Sequence, residues 1–265
     1  MFLAAQGLPD IVTAVAVLVG GTAAAGAANT FNSAYDGDID AVMSRTHDRP
    51  IALGSVTRRA AFVQGIVLTL VAVGVLLVFA NALSAGLALV AIALYAVGYT
   101  ILLKRRTSQN IVWGGAAGCM PVLIAWSAIT GSLSWTPVLL FLIVFWWTPP
   151  HYWPLAMKYR EEYRLAGIPM LPVVASDTTV ARQIIVYSWV MVVTSLALIP
   201  VAGMGIVYGI GAMILGGGFL VLAYRLRAAV GSERVDAVAM RLFHGSITYL
   251  AVLFLLVGVD PFLRG

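Results

Sequence analysis

Apolar runs of about twenty residues, the length that crosses the hydrocarbon core of a bilayer, recur along this chain near 10–34, 60–80, 84–103, 109–130, 135–157, 180–200, 204–225 and 240–260. Inside a bilayer no water bonds the backbone, so each such run must satisfy its own N–H and C=O groups as a helix. Composition agrees. Of 265 residues 61% are hydrophobic and only 10% charged, where a soluble domain carries about 25%. The expected fold is all-α, a polytopic transmembrane helix bundle of eight spans forming one integral-membrane domain over residues 1–265. The opening MFLAAQGLPD is too short to span and lacks a basic n-region. It reads as the tail of an earlier span whose beginning is missing. Cys119, the single cysteine, has no internal disulfide partner and reads as a small packing residue between helices.

The few charges are sorted. Arg45, Arg49, Arg58 and Arg59 follow the first run, and Lys104, Arg105 and Arg106 the third. Lys158, Arg160, Arg164 and Arg182 flank the loop after the fifth, and Arg225, Arg227, Arg234 and Arg241 the loop after the seventh. Only Arg264 of the 16 Lys and Arg lies elsewhere, and the connections near 81–84, 131–135 and 201–204 carry none. By the positive-inside rule the charged loops face the cytoplasm across a plasma membrane. The net charge of +5 is therefore an orientation signal, and no nucleic-acid partner is expected. All acids but Asp10 and Asp260 share that side, which topology does not require. One face of the bilayer holds nearly all the polar chemistry, as a membrane-embedded active site opening to the cytoplasm would.

Asn32, Asp36 and Asp40 are spaced four apart and share one face of a helix, with Asp38 pointing elsewhere. Two carboxylates and an amide in a row are hard oxygen ligands of the kind Mg²⁺ takes together with substrate phosphates. The plainer reading is a solvated helix cap; an N-x-x-x-D-x-D-x-D run abutting a span favours the metal. A second patch lies in HYWPLAMKYREEYRLAGIPMLPVV, residues 151–174. Lys158 and Glu162 are four apart, either a surface ion pair or a site in which Glu162 takes a metal while Lys158 or Arg164 takes phosphate oxygens. A third patch, YTILLKRRTSQN at 99–110, offers Lys104 and Arg105 as headgroup anchors or as diphosphate ligands, with Gln109 and Asn110 as donors opening the next span. Acids for a metal and bases for phosphate imply a diphosphate ligand, and a lipid tail on it would lie among the apolar spans. No G-x-x-x-x-G-K-[ST] loop and no G-x-S-x-G elbow occurs.

Three stretches together, NSAYDGDIDAVMSRTHDRP (32–50), YTILLKRRTSQNIVWGGAAG (99–118) and PHYWPLAMKYREEYRLAGIPMLPVV (150–174), resemble the UbiA superfamily of intramembrane prenyltransferases over essentially the whole chain, and within it the branch that farnesylates heme. The resemblance implies a helical bundle around a cavity and Mg²⁺ as cofactor, with Asn32, Asp36 and Asp40 as the first metal motif and Glu162 as the last acid of the second. It implies farnesyl diphosphate, heme b and water as substrates, diphosphate release, and a functional link to terminal oxidase assembly. Lys158 stands where many relatives have Asp, and Gly37 where an Arg is usual between the acids.

His47 reads as a solvated loop residue. His151, after Pro149 and Pro150, and His244, at the start of the last run, are each either a heme-iron ligand or a hydrogen-bonded interhelical histidine. Trp146, Trp147 and Trp153 are either porphyrin-stacking or interfacial belt residues. Two rivals stand beside heme farnesylation: prenylation of an aromatic quinone precursor, and transport of an anionic solute, the latter opposed by the absence of matched broken repeats.

Overall fold

A computed structural model of the chain describes residues 1–263, and every regular element among them is helical. In order these are α1 (Phe2–Ala5), α2 (Ile11–Tyr35), α3 (Gly37–Asp40), α4 (Arg58–Phe79), α5 (Ala82–Ala93) continuing as a π-helical segment (Leu94–Leu103), α6 (Asn110–Thr130), α7 (Trp135–Lys158), α8 (Arg160–Leu165), α9 (Leu171–Val174), α10 (Asp177–Ala202), α11 (Ile206–Ala229) and α12 (Val235–Leu263). Among the described residues seven helices are long and apolar enough to cross a membrane: α2, α4, α5 with its π-helical extension, α6, α10, α11 and α12. The eighth expected span, 135–157, is also a continuous helix, α7, of 24 residues. Its second half carries Thr148, Pro149, Pro150, His151 and Pro154, so it is less apolar than the other seven.

The helices start where side chains can absorb orphan N–H groups. Asp10 accepts from the Thr13 N–H at 2.8 Å, Thr57 from Ala60 at 3.2 Å and Asn81 from Ser84 at 2.9 Å. Two of the charge-free connections begin at glycines in the left-handed region, Gly131 (φ 68°) and Gly203 (φ 60°), each closing its helix through a bond to the carbonyl four residues back.

Packing divides the chain into two compact units, residues 9–132 with 161–169, and residues 1–8, 133–160 and from 170 onward. In the first, α2 lies along α4, and α5 with its π-helical extension packs on α6. Small residues let the backbones close up, since lipid provides no hydrophobic drive between spans. Gly20 sits under Leu76, Gly65 under Phe31, and Gly114 receives the ring of Tyr99. Phe62, Val63, Ile66, Val67 and Leu70 of α4 remain exposed, an outer surface suited to acyl chains. In the second unit α7 packs against α10 and α12, and α11 against the same two helices. A buried polar knot joins three of them: Tyr208 donates to the Ser195 carbonyl at 2.8 Å, and the Ser195 and Tyr249 hydroxyls are 2.8 Å apart.

A Cβ on Gly114 would lie 2.2 Å from Tyr99 Cδ2, against a rigid ring held near its root. Gly114→Ala is expected to cost about 1–3 kcal/mol of stability by overpacking, read as a lower thermal midpoint in detergent. Gly74→Ala, where a Cβ meets nothing within 4 Å, is expected to be neutral or stabilising by up to about 1 kcal/mol.

Candidate active site

Where α2 ends, three polar residues become buried together: Asn32 (4% exposed), Asp36 (0%) and Asp40 (2%). Asp36 closes α2, its N–H bonding the Asn32 carbonyl at 2.9 Å, and the Asp40 N–H returns to the Asp36 carbonyl at 2.8 Å. The run thus keeps helical spacing through the α2–α3 junction, as the four-residue repeat predicts.

An ionised carboxylate deep in a membrane protein costs roughly 2.5–3.5 kcal/mol when unpaired, and each acid here has its own cation. Lys104 Nζ donates to Asp36 Oδ2 at 2.5 Å. Asn32 Nδ2 donates to the same oxygen at 2.7 Å and to Thr100 Oγ1 at 3.1 Å. Arg105 grips exposed Asp38 with two bonds of 2.7 and 2.8 Å and reaches Asp36 Oδ1 at 3.4 Å. Arg49 donates to both oxygens of Asp40, at 2.9 and 3.0 Å. The Arg105 hydrogen bonds hold the pKa of the Asp38 carboxyl at about 2, well below its ordinary 3.8.

The π-helical stretch positions this cluster. The Lys104 N–H bonds the Tyr99 carbonyl five residues back at 2.8 Å, and Thr100 Oγ1 bonds the Tyr95 carbonyl, also five back, at 2.9 Å. The wider turn places Thr100 against Asn32 and Lys104 against Asp36, and such turns concentrate at functional sites. Asn110 Nδ2 then holds the Lys104 carbonyl at 3.0 Å, while its buried Oδ1 has no hydrogen-bond partner. That unsatisfied acceptor suits a bound water or a cation, not a phosphate oxygen.

Glu162 lies apart from the aspartates, half-buried, accepting from the Ser44 N–H at 3.1 Å and the Ser44 hydroxyl at 2.8 and 2.9 Å. Arg45 donates to Tyr163 Oη at 2.8 Å, so the loop after α3 is stitched twice to α8. The helix is interrupted at Tyr159, the C-cap of α7, so Lys158 and Glu162 do not share a helix face; Lys158 lies 5.5 Å from the centre of the Tyr159 ring. Arg164 is engaged by exposed Glu161 at 2.5 and 2.9 Å. Among the described residues no three His, Cys, Asp or Glu side chains stand close enough to hold a metal ion. The acids are all hard oxygen donors, the chemistry Mg²⁺ prefers, but in this state cations and Ser44 occupy them.

An apolar cavity of about 230 Å³ opens one turn along α2 from Asn32, lined by Ala24, Ala28, Asn29, Tyr95, Ala117 and Pro121. Its greasy wall and single amide fit a hydrocarbon chain.

In the other unit, His151 is sandwiched between Trp147 (4.1 Å between ring centres) and Phe243 (4.7 Å). Its Nδ1 lies 2.7 Å from Ser246 Oγ, whose own proton goes to the Phe243 carbonyl at 2.5 Å. Nδ1 must therefore carry a proton, which leaves the Nε2 lone pair available. The Trp147 indole N–H is tied to the Ser246 carbonyl at 2.8 Å. His244 is exposed and meets Phe243 edge-on at 5.2 Å. Trp146 packs on Tyr187, as does buried Trp153.

Sequence reading missed Arg49, Ser44, Thr100 and Ser246. Arg49 had a signal, being the basic residue that follows the acids in the same loop. The others had none, because a hydroxyl in an apolar run looks the same whether it faces lipid or a carboxylate.

The helical architecture is that of a membrane prenyltransferase, and residues 1–247 match the model of the UbiA prenyltransferase family. The chain belongs to that family. Curated relatives named protoheme IX farnesyltransferase are similar over most of their length. The protein of Kineococcus radiotolerans is 52% identical, covering 100% of this chain and 82% of its own; that of Streptomyces coelicolor is 53% identical, covering 100% and 84%. Among solved structures the fold is shared with a digeranylgeranylglyceryl phosphate synthase (TM-score 0.80, 16% identity, 98% and 89% of the two chains). It is also shared with a UbiA homologue of Archaeoglobus fulgidus bound to DMAPP and Mg²⁺ (TM-score 0.65, 15% identity, 95% and 89%).

Folding lowers the pKa of Asp38 from 3.8 to about 2. The stability this contributes is complete above the unfolded value and is lost as pH falls from about 4 toward 2. Thermal unfolding in detergent across that window is expected to show a steeper loss for the unsubstituted protein than for Asp38→Asn, which lacks the titrating group.

Proposed function

We propose that this chain transfers the farnesyl group of farnesyl diphosphate to a vinyl group of heme b in the plasma membrane, with the acid-bearing loops on the cytoplasmic side. The observation that carries the reading is the row of aspartates at the end of α2, each held by its own cation, with an apolar cavity one turn along α2 from Asn32. A diphosphate entering such a site gives Lys104 and Arg105 new anionic partners. As they move to phosphate oxygens, Asp36 is released; together with Asp40, which Arg49 holds, the Asn32 amide oxygen and Glu162, it would hold Mg²⁺. Bound there, the ion would add positive charge beside the leaving diphosphate. Arg164, in the same unit as the aspartates, is proposed as a further contact for the head group. The relatives named protoheme IX farnesyltransferase and the prenyl diphosphate and Mg²⁺ bound by the A. fulgidus homologue support the choice of substrates and metal.

In the reaction the C1–O bond of farnesyl diphosphate breaks and its electron pair leaves with diphosphate. The π pair of the heme vinyl group forms the new bond to C1, leaving positive charge on the vinyl carbon next to the macrocycle. Water adds to that carbon and loses a proton, giving a hydroxyethylfarnesyl side chain and a product suited to a terminal oxidase. The Lys104 ammonium and Arg105 guanidinium neutralise the departing charge, and the apolar cavity keeps water from the allylic cation until the carbon–carbon bond has formed. His151 is the better heme-iron ligand of the two candidates, since Ser246 fixes the tautomer that presents Nε2.

Asp36→Ala and Asp40→Ala are each expected to lower turnover by more than about a hundredfold while leaving the protein inserted. The check is diphosphate release and porphyrin mass after incubation with heme b, farnesyl diphosphate and Mg²⁺; activity within a few-fold of the unsubstituted protein would remove the assignment. His151→Ala is expected to change the visible spectrum of bound heme and His244→Ala to leave it unchanged. The opposite pattern would transfer the ligand role to His244.

A further inference from the structure

A second polar site lies at the α11–α12 turn, built by residues with no part in the chemistry above. Arg225 near the end of α11, Arg234 in the turn and Arg241 in α12 line one pocket of about 500 Å³ together with Leu222, Ala228 and Val238. All three arginines are exposed, and none forms an ion pair with an acid among the described residues, although Glu233 and Asp236 lie in the same turn region. Three like charges gathered without a counter-ion repel one another, so the arrangement is completed by an anion. Guanidinium groups favour phosphate oxygens, which they bind through paired hydrogen bonds.

The pocket does not end at the charges. Leu222 and Arg225 also line a neighbouring groove of about 470 Å³ running along the same helix pair over Ile214, Gly218, Phe219 and Gly245. A Cβ on Gly218 would meet nothing within 4 Å, so the groove owes its depth there to the missing side chain. A basic pocket at the end of two spans, continuous with an apolar groove along them, matches an amphiphile with a phosphate head and a hydrocarbon tail. The geometry points to a specific site for an anionic phospholipid: the phosphate bound by Arg225, Arg234 and Arg241, one acyl chain laid against Gly218 and Gly245. A soluble anion would use only the first half, and a zwitterionic lipid would carry its own cation into the arginines.

The test uses the full chain in nonionic detergent, titrated with dioleoyl phosphatidylglycerol, dioleoyl phosphatidylcholine or inorganic phosphate, with binding followed by native mass spectrometry and by the shift in thermal midpoint. Phosphatidylglycerol is expected to bind and stabilise, phosphatidylcholine and phosphate to do so at least tenfold more weakly. Each basic residue near a bilayer surface contributes about fivefold to binding an anionic lipid. The triple variant Arg225→Gln, Arg234→Gln, Arg241→Gln is therefore expected to lose roughly a hundredfold, and the triple Arg→Lys variant, which keeps the charge but not the paired bonds, to lose less than the Gln variant. Gly218→Leu, which fills the groove and spares the charges, is expected to weaken phosphatidylglycerol and leave phosphate unchanged. Thermal midpoints of the variants without added lipid report whether they fold. Equal binding of both lipids, undiminished binding by the folded triple Gln variant, phosphate as effective as the lipid, or indifference to Gly218→Leu would each overturn the proposal. Loss of prenyl transfer with lipid binding intact would instead count against the function proposed above.

Discussion

A carboxylate with no exposed surface, Asp36, sits at the end of a membrane helix and is held by Lys104 at 2.5 Å. The local structure follows from keeping that charge. In an apolar chain an unpaired carboxylate is costly, and breaking a buried pair by removing one partner costs about 3–5 kcal/mol. So α2 must end where α5 and its extension end. The Asn32 amide, anchored by Thr100, supplies a second donor to the same oxygen. Arg105 and Arg49 repeat the arrangement on Asp38 and Asp40 with less burial, leaving three acids and three bases with little net charge. Such a cluster is stable in a membrane.

The π-helical segment from Leu94 to Leu103 makes this possible. An α-helical continuation would rotate Thr100 and Lys104 relative to the residues before them, and the pairing with Asn32 and Asp36 would be lost. Tyr99, from the same segment, fills the notch left by Gly114, so packing on α6 and the polar contacts with α2 reinforce one register. In the other unit a similar economy acts at His151, where one serine hydroxyl, committed to the Phe243 carbonyl, decides which ring nitrogen carries the proton.

Much of this is legible in the order of the amino acids. The apolar runs mark the helices to within a few residues, because hydrocarbon permits only one backbone solution for an isolated segment. The spacing of Asn32, Asp36 and Asp40 implies a shared face, because helical periodicity is local. The pairing of Lys158 with Glu162 does not follow, since the helix it presumes stops at Tyr159. Glu162 turns instead to Ser44, 118 residues away in sequence, a contact that no local pattern encodes. The expected span 135–157 is a helix whose prolines and His151 set it apart from the seven apolar ones.

Hydropathy and charge placement are properties of segments, so the order of residues alone is enough to show a set of membrane helices with all acids but Asp10 and Asp260, and all bases but Arg264, gathered in alternate loops. Which base answers which acid is set by the packing of the helices: Lys104 to Asp36, Arg105 to Asp38 and Arg49 to Asp40. The tertiary structure also decided that a π-helical turn delivers the first two of those bases. The physical reason is that a carboxylate in low dielectric is satisfied by whichever donor the packing of distant helices brings within hydrogen-bond reach, and that reach is set by backbone register across helices, which sequence spacing along one helix does not contain.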